Sequence, residues 1–174
     1  MTVADHTTVK VPHFKTNEKT GRYIARHALT KEQIIKAASR LLFTADPKGK
    51  SFTDVGLTKL YLKDKYANRS QEMFVCLYLD NQHCLLADEV MFKGTIDQAS
   101  VYPREIVKRA LELNAAAVIL CHNHPSGITE ASKADISITQ QLISSLNLVS
   151  VRVLDHIIVG DGAMSMTQVG YIKV

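Results

Sequence analysis

The sequence predicts an α/β fold, a mixed β-sheet flanked by helices, and three observations carry that expectation. Short continuous runs of β-forming residues, Met73 to Asp80 and Ala115 to Cys121, read as buried strands. Around them, apolar residues recur at helical spacing, with Ile106, Val107, Ala110 and Leu111 in one stretch and Ile138, Leu142 and Leu146 in another. The resulting order, helices and then ββαβαββ, alternates strand with helix in the way that lays helices on the faces of a sheet.

Each element has a local reason. Residues 1–28 show no sustained periodicity and are expected to be irregular or an arm. Thr30 followed by Gln33 fits a capping box, and Ile34, Ala37, Ala38, Leu41 and Leu42 then form an apolar stripe at helical spacing. Asp46-Pro47-Lys48-Gly49 ends that helix with turn chemistry. A second helix is expected over Ser51 to Tyr66. The strand MFVCLYLD turns at Asp80 to His83, and CLLADEVMF returns as the second arm of a hairpin. Pro103 suits the first turn of the next helix. AAAVILC follows as a strand, HNHPSGITEA as a loop, and Ser132 to Leu146 as an amphipathic helix. LVSVRVLDHIIVG and MSMTQVGYIKV close the chain as strands about the turn Gly160-Asp161-Gly162.

A chain of 174 residues predicts one domain with a small appendage, large enough to bury its own core without disulfides or a partner copy. An apolar fraction of 46% with 22% charged residues is that of a globular protein rather than a disordered or fibrous one. The longest apolar run falls far short of the ~20 residues of a membrane span. Three cysteines, Cys76, Cys84 and Cys121, include no C-x-x-C, and the first residues show no apolar signal region. Both features predict a cytoplasmic protein with no membrane partner. Charge is unevenly placed. Residues 1–50 hold ten Lys/Arg against four Asp/Glu, a balance of +6, whereas residues 51–174 carry −2. The domain expectation follows: a basic segment with one helix over 1–50, and the main domain over 51–174. The basic segment is expected to be solvated, or to make weak, non-specific nucleic-acid contacts.

The chemistry-bearing stretch is Cys121-His122-Asn123-His124-Pro125-Ser126-Gly127, followed by Ser132-Lys133-Ala134-Asp135. In extended chain, residues two apart point to one side, so His122 and His124 converge while Cys121 points away. Pro125 holds His124 extended. Asp135 falls in the first turn of the next helix, at the strand's carboxyl end, where ligands bind in α/β sheets. Two histidines and a carboxylate are a normal set for a catalytic zinc whose fourth position is left to water. Ser132-x-x-Asp135 is equally a helix-capping signal, and a cap would itself fix Asp135 at the helix start.

H-x-H-x7-S-x2-D is the JAMM (MPN+) metalloprotease motif, with His122, His124, Ser132 and Asp135 in register. VYPREIVKRALELNAAAVILCHNHPSG resembles the RadC branch of that superfamily, as do FKGT before it and DHIIVG after it; the resemblance covers residues 70–174. It implies a three-layer JAMM/MPN fold like that of cytidine deaminases. It also implies one zinc per chain on His122, His124 and Asp135, and hydrolysis of an amide bond in a peptide or protein, with Glu89 in ADEVMFKGT as general acid/base. Asp88 beside Glu89 is the one-residue alternative. In this resemblance Ser132 positions water or stabilises the oxyanion, or serves only as the cap. Asn123 departs from the Ser/Thr of eukaryotic deubiquitinating members and matches the RadC branch, so ubiquitin-like substrates do not transfer. Longer RadC-type proteins carry G-x-G turns that approach DNA; residues 1–70 contain none.

Two other function classes are weighed against the peptidase. A DNA-associated module with a structural or vestigial zinc draws on the basic first third. A zinc nucleoside deaminase would need H-x-E and P-C-x-x-C, which are absent. Asp155 and His156 are expected on opposite faces of a strand, and His6, His13 and His27 in solvent.

Overall fold

The computed structural model describes residues 10–17, 19–42, 48–94 and 101–173. The chain divides into two compact units, Met1–Pro47 and Lys48–Val174. His6 lies outside the described residues.

In the first unit, β1 (Phe14–Asn17) and β2 (Arg22–Ala25) form an antiparallel hairpin in which Phe14 faces Ala25. Irregular structure was the expectation here, and the hairpin corrects it. The turn is made by side-chain chemistry rather than by periodicity. Asn17 Oδ1 accepts from the Lys19 and Thr20 amides at 3.1 and 3.2 Å, and Gly21 takes φ +64°. Strands of four residues, mostly exposed, leave no apolar alternation to read. Helix α1 (Lys31–Leu42) opens on the expected capping box, with Gln33 N to Thr30 Oγ1 at 3.2 Å and Thr30 N to Gln33 Oε1 at 3.0 Å. Ala37 and Ser39 are its buried residues, while Ile34, Ala38 and Leu41 of the expected stripe are exposed.

The second unit is a five-stranded mixed sheet covered on both faces. Its elements are α2 (Val55–Tyr66), β3 (Met73–Leu79), β4 (Leu85–Lys93), α3 (Pro103–Glu112), β5 (Ala117–Asn123), α4 (Lys133–Asn147), β6 (Arg152–Val159) and β7 (Ala163–Ser165). The strand order is β4-β3-β5-β6-β7, antiparallel throughout except for the parallel β5–β6 pair joined across α4. β3 and β5 are buried along their whole length, which is why both read as unbroken apolar runs. Alternation then splits each strand between layers. Phe74, Cys76 and Tyr78 of β3, with Val118 and Leu120 of β5, pack against Ile106 and Ala110 of α3 and Ile138, Leu142 and Leu146 of α4. Helix α2 covers the other face, against β5, β6 and β7. Asp54 caps it by accepting from Leu57 N at 2.8 Å. Among the described residues no helix is long and apolar enough to cross a membrane.

The last expected strand shrinks to three residues. The Asp155 carboxylate accepts from Ser165 Oγ at 2.5 Å and from Thr167 N at 3.0 Å, which draws the chain off the sheet edge. Met166 and Ile172 are buried in the turns that follow.

Candidate metal centre

The site forms where β5 ends and α4 begins. Both lie at the same end of the sheet because β5–α4–β6 is a parallel crossover. His122 belongs to the ladder, opposite Phe74 of β3 and Ile158 of β6. His124 prolongs it, its amide bonding Val159 O at 2.8 Å. Their Nε2 atoms converge to 2.8 Å. The Asp135 carboxylate reaches in from α4, with Oδ1 3.3 Å from His122 Nε2 and Oδ2 3.8 Å from His124 Nε2. From the rim comes a fourth group, Glu72, with Oε1 3.9 Å from His124 Nε2.

The far nitrogens of both imidazoles are occupied. His124 Nδ1 lies 2.8 Å from Ile128 O, and His122 Nδ1 lies 2.8 Å from His156 Nε2. A carbonyl only accepts, so His124 Nδ1 carries a proton, and in the neutral ring the Nε2 lone pair faces the centre. The Phe74 ring stacks parallel to His122 at a 6.4 Å centroid distance and meets His156 edge-on at 5.4 Å. Burial pushes the His122 pKa down to about 4, against the pull of Asp135's charge and with His124 adding to the depression. His156 is pushed well below the usual histidine range by burial first, then by His122 and His124. Both rings are therefore neutral near pH 7, the form in which imidazole binds metals.

Second-layer contacts hold the frame. Ser132 Oγ accepts from Asp135 N at 3.1 Å while Asp135 Oδ2 accepts from Ser132 N at 2.7 Å, a reciprocal capping box that aims the carboxylate. The loop after His124 is pinned by two glycines. Gly127 has φ +83°, and Gly160 sits so close that a Cβ on it would lie 2.4 Å from Gly127 O. Asn123, between the two histidines, accepts from Met73 N at 2.8 Å and donates Nδ2 to Gln71 O at 3.1 Å and Arg69 O at 3.4 Å. It thereby fixes the segment that carries Glu72.

The donor chemistry suits a metal ion. Ligands about 2.0–2.1 Å from a tetrahedral zinc lie ~3.3 Å from one another. The separations here, 2.8 to 3.9 Å, bracket that value. Glu72, His122 and His124 form a cluster able to hold an ion.

His122, His124, Ser132 and Asp135 are thus brought together, but Glu89 is not. In the β3–β4 register Glu89 faces Cys76, whereas Lys93 faces Met73 next to Glu72. Four residues of strand, roughly 13 Å, separate the two positions. The Glu89 carboxylate is held by Arg109 of α3, at 2.6 and 2.8 Å. Asp88 points to the opposite face, where Tyr61, Tyr66 and Lys65 of α2 surround it. Burial, then Asp88's charge, raises the pKa of both tyrosines.

The glutamate at the histidines is Glu72, which the sequence reading missed. Extending the antiparallel β3–β5 pairing by two residues past Phe74–His122 sets Glu72 beside His124, so the signal existed only once that pairing was assumed. His156, to which the sequence assigns no role in the site, also lies against it. As expected, Asp155 and His156 face opposite sides of β6, but the side His156 faces is the His122 side. His13 and His27 are exposed and lie against each other, with Nδ1 3.2 Å from Nε2.

Residues 52–171 match the RadC-like JAB domain family. A UPF0758 protein of Vibrio campbellii is 49% identical over 142 residues, covering 81% of this chain and 63% of that protein. A Vibrio cholerae UPF0758 protein is 51% identical over the same length, again 63% of its own chain. A second Vibrio cholerae UPF0758 protein is 44% identical over 151 residues, 87% of this chain and 96% of that one. The chain spans less than two thirds of the first two relatives and nearly all of the third. With the match running through the histidine site and both of its flanking strands, this chain belongs to the RadC-like JAB domain family.

Proposed function

We propose that the protein is a zinc-dependent peptidase or isopeptidase, with His122, His124 and Asp135 as metal ligands and Glu72 as general acid/base. The carrying observation is the pair of Nε2 atoms 2.8 Å apart, each ring bonded at its far nitrogen, beside a capped carboxylate. Imidazole nitrogen donors with a carboxylate oxygen favour zinc among common ions. When bound, zinc polarises the scissile carbonyl and acidifies water.

The chain's own residues do the rest. Asp135 supplies the negative charge among the ligands, and the Ser132 cap keeps its Oδ1 toward His122. Glu72 is 19% exposed at the rim, where water and substrate arrive, whereas Asp135 is 4% exposed. That difference assigns Glu72 to proton transfer and Asp135 to coordination: Glu72 takes a proton from attacking water and returns it to the leaving amine. Ser132 Oγ accepts the Asp135 amide and keeps its own hydroxyl proton available for an oxyanion.

Zinc titration with chelator competition tests this reading, together with hydrolysis of unstructured peptides and linear fusions. Wild type should bind one zinc per chain. His122→Ala and Asp135→Asn should lose it, while Glu72→Gln should keep it and hydrolyse roughly 10²–10⁴-fold more slowly. Zinc retained by Asp135→Asn and lost by Glu72→Gln would exchange the two roles. Absence of zinc binding would overturn the proposal in favour of a binding module, the reading to which the +6 balance of residues 1–50 points.

A further inference from the structure

We infer that His156 and Thr139 form a buried proton-ordering relay that sets the tautomer of His122, and so the metal affinity of the site. The inference rests on the metal-centre reading above and assigns positioning roles to two residues outside the ligand set.

The relay has a direction because it ends on a group that can only accept. Thr139 Oγ1 lies 2.5 Å from Asp135 O and 2.6 Å from His156 Nδ1. The hydroxyl has one proton. If that proton went to His156, the hydroxyl oxygen and the Asp135 carbonyl would face each other as two acceptors at 2.5 Å. The proton therefore goes to the carbonyl, and His156 must donate Nδ1–H to Thr139. His156 Nε2 is then a lone pair, and it lies 2.8 Å from His122 Nδ1. His122 must donate there, which leaves its own Nε2 as a lone pair.

Independently, Ile128 O places the His124 proton on Nδ1. The two Nε2 lone pairs thus face each other at 2.8 Å, with Asp135 Oδ1 3.3 Å from one of them. Only a cation, or an added proton, satisfies that arrangement. Outer-layer partners of this kind fix ring orientation and raise ligand basicity in metal sites. Two features set this one apart. Its anchor is the backbone carbonyl of Asp135, itself in the donor set. Every member between the anchor and His122 is completely buried, so water cannot substitute.

The test uses the full chain. Thr139→Val keeps the shape but removes the hydroxyl, and Thr139→Ser restores it. His156→Ala removes the acceptor for His122, and His156→Gln supplies an amide oxygen and an N–H in its place. Zinc affinity is read by chelator competition, with the visible spectrum of the cobalt-substituted protein as a second readout. Affinity should fall 10–100-fold in Thr139→Val and His156→Ala, and recover largely in Thr139→Ser and partly in His156→Gln. In wild-type zinc-loaded protein, ¹⁵N NMR should find His156 protonated at Nδ1 and accepting at Nε2. That last measurement needs no variant to fold.

His156 protonated at Nε2, or Thr139→Val with wild-type affinity, would overturn the relay while leaving the metal centre standing. A wild type that binds no zinc at the two histidines would instead overturn the metal centre, and the relay with it.

Discussion

Asn123→Ala tests how the glutamate is held beside the histidines. The Asn123 side chain is fully buried and makes three contacts with residues 69–73. Its removal orphans the Met73 amide, a buried donor now bonded at 2.8 Å, at a cost of about 1–3 kcal/mol. The Gln71 carbonyl at 3.1 Å adds about 0.5–1.5 kcal/mol, and the Arg69 carbonyl at 3.4 Å adds little at that distance. The expected loss is about 1.5–4.5 kcal/mol, read as a lower urea midpoint with an unchanged slope. Hydrogen exchange should locate it, with the Met73 amide losing protection ahead of the rest of β3. Hydrolysis should fall with the loosening of Glu72, while zinc affinity stays near wild type because the Asn123 side chain bonds Met73, Gln71 and Arg69 and none of the three assigned ligand side chains. Asn123→Asp should be worse than Ala, since it sets a buried carboxylate against two carbonyl oxygens. A loss below about 0.5 kcal/mol, the range of an inert surface change, or a fully protected Met73 amide in Asn123→Ala, would refute the reasoning.

Glu89→Gln should leave zinc binding and hydrolysis unchanged and barely move the urea midpoint, because its ion pair with Arg109 is a third exposed; a dead Glu89→Gln would return the proton-transfer role to β4. Gly160→Ala forces a Cβ to 2.4 Å from the Gly127 carbonyl, so the loop carrying Ile128 must shift; a lower melting temperature and weaker zinc binding should follow together. Zinc at one hundred times its dissociation constant should add ~2.7 kcal/mol of stability, and a chelator should remove that increment, both visible in thermal melts. Nucleic-acid binding through residues 1–50 should be weak, insensitive to sequence and steeply weakened by salt; salt-insensitive, sequence-specific binding would contradict this.

The features legible in the sequence are those whose signals span only a few residues. The apolar runs of β3 and β5, the capping boxes at Thr30 and Ser132, Pro103 opening α3 and the two-residue spacing of His122 and His124 are local patterns, and each has its counterpart in the structure. Pairing is not local. Glu72 reaches the histidines only because β3 lies antiparallel to β5 with Phe74 opposite His122, and one residue of slip would turn it to the other face. His156 reaches His122 only through the parallel β5–β6 pairing across α4. Glu89, with Asp88 beside it as the one-residue alternative, is carried away from the site by the β3–β4 register and held by Arg109. The hairpin β1–β2 has no periodicity to read, because its strands are four mostly exposed residues each and its turn closes locally on Asn17. Hydrophobic periodicity records which face of an element is buried. Which element shares that face, and at what register, is decided by packing among segments far apart in the chain, and that packing is what brings Glu72 to His124 and His156 to His122.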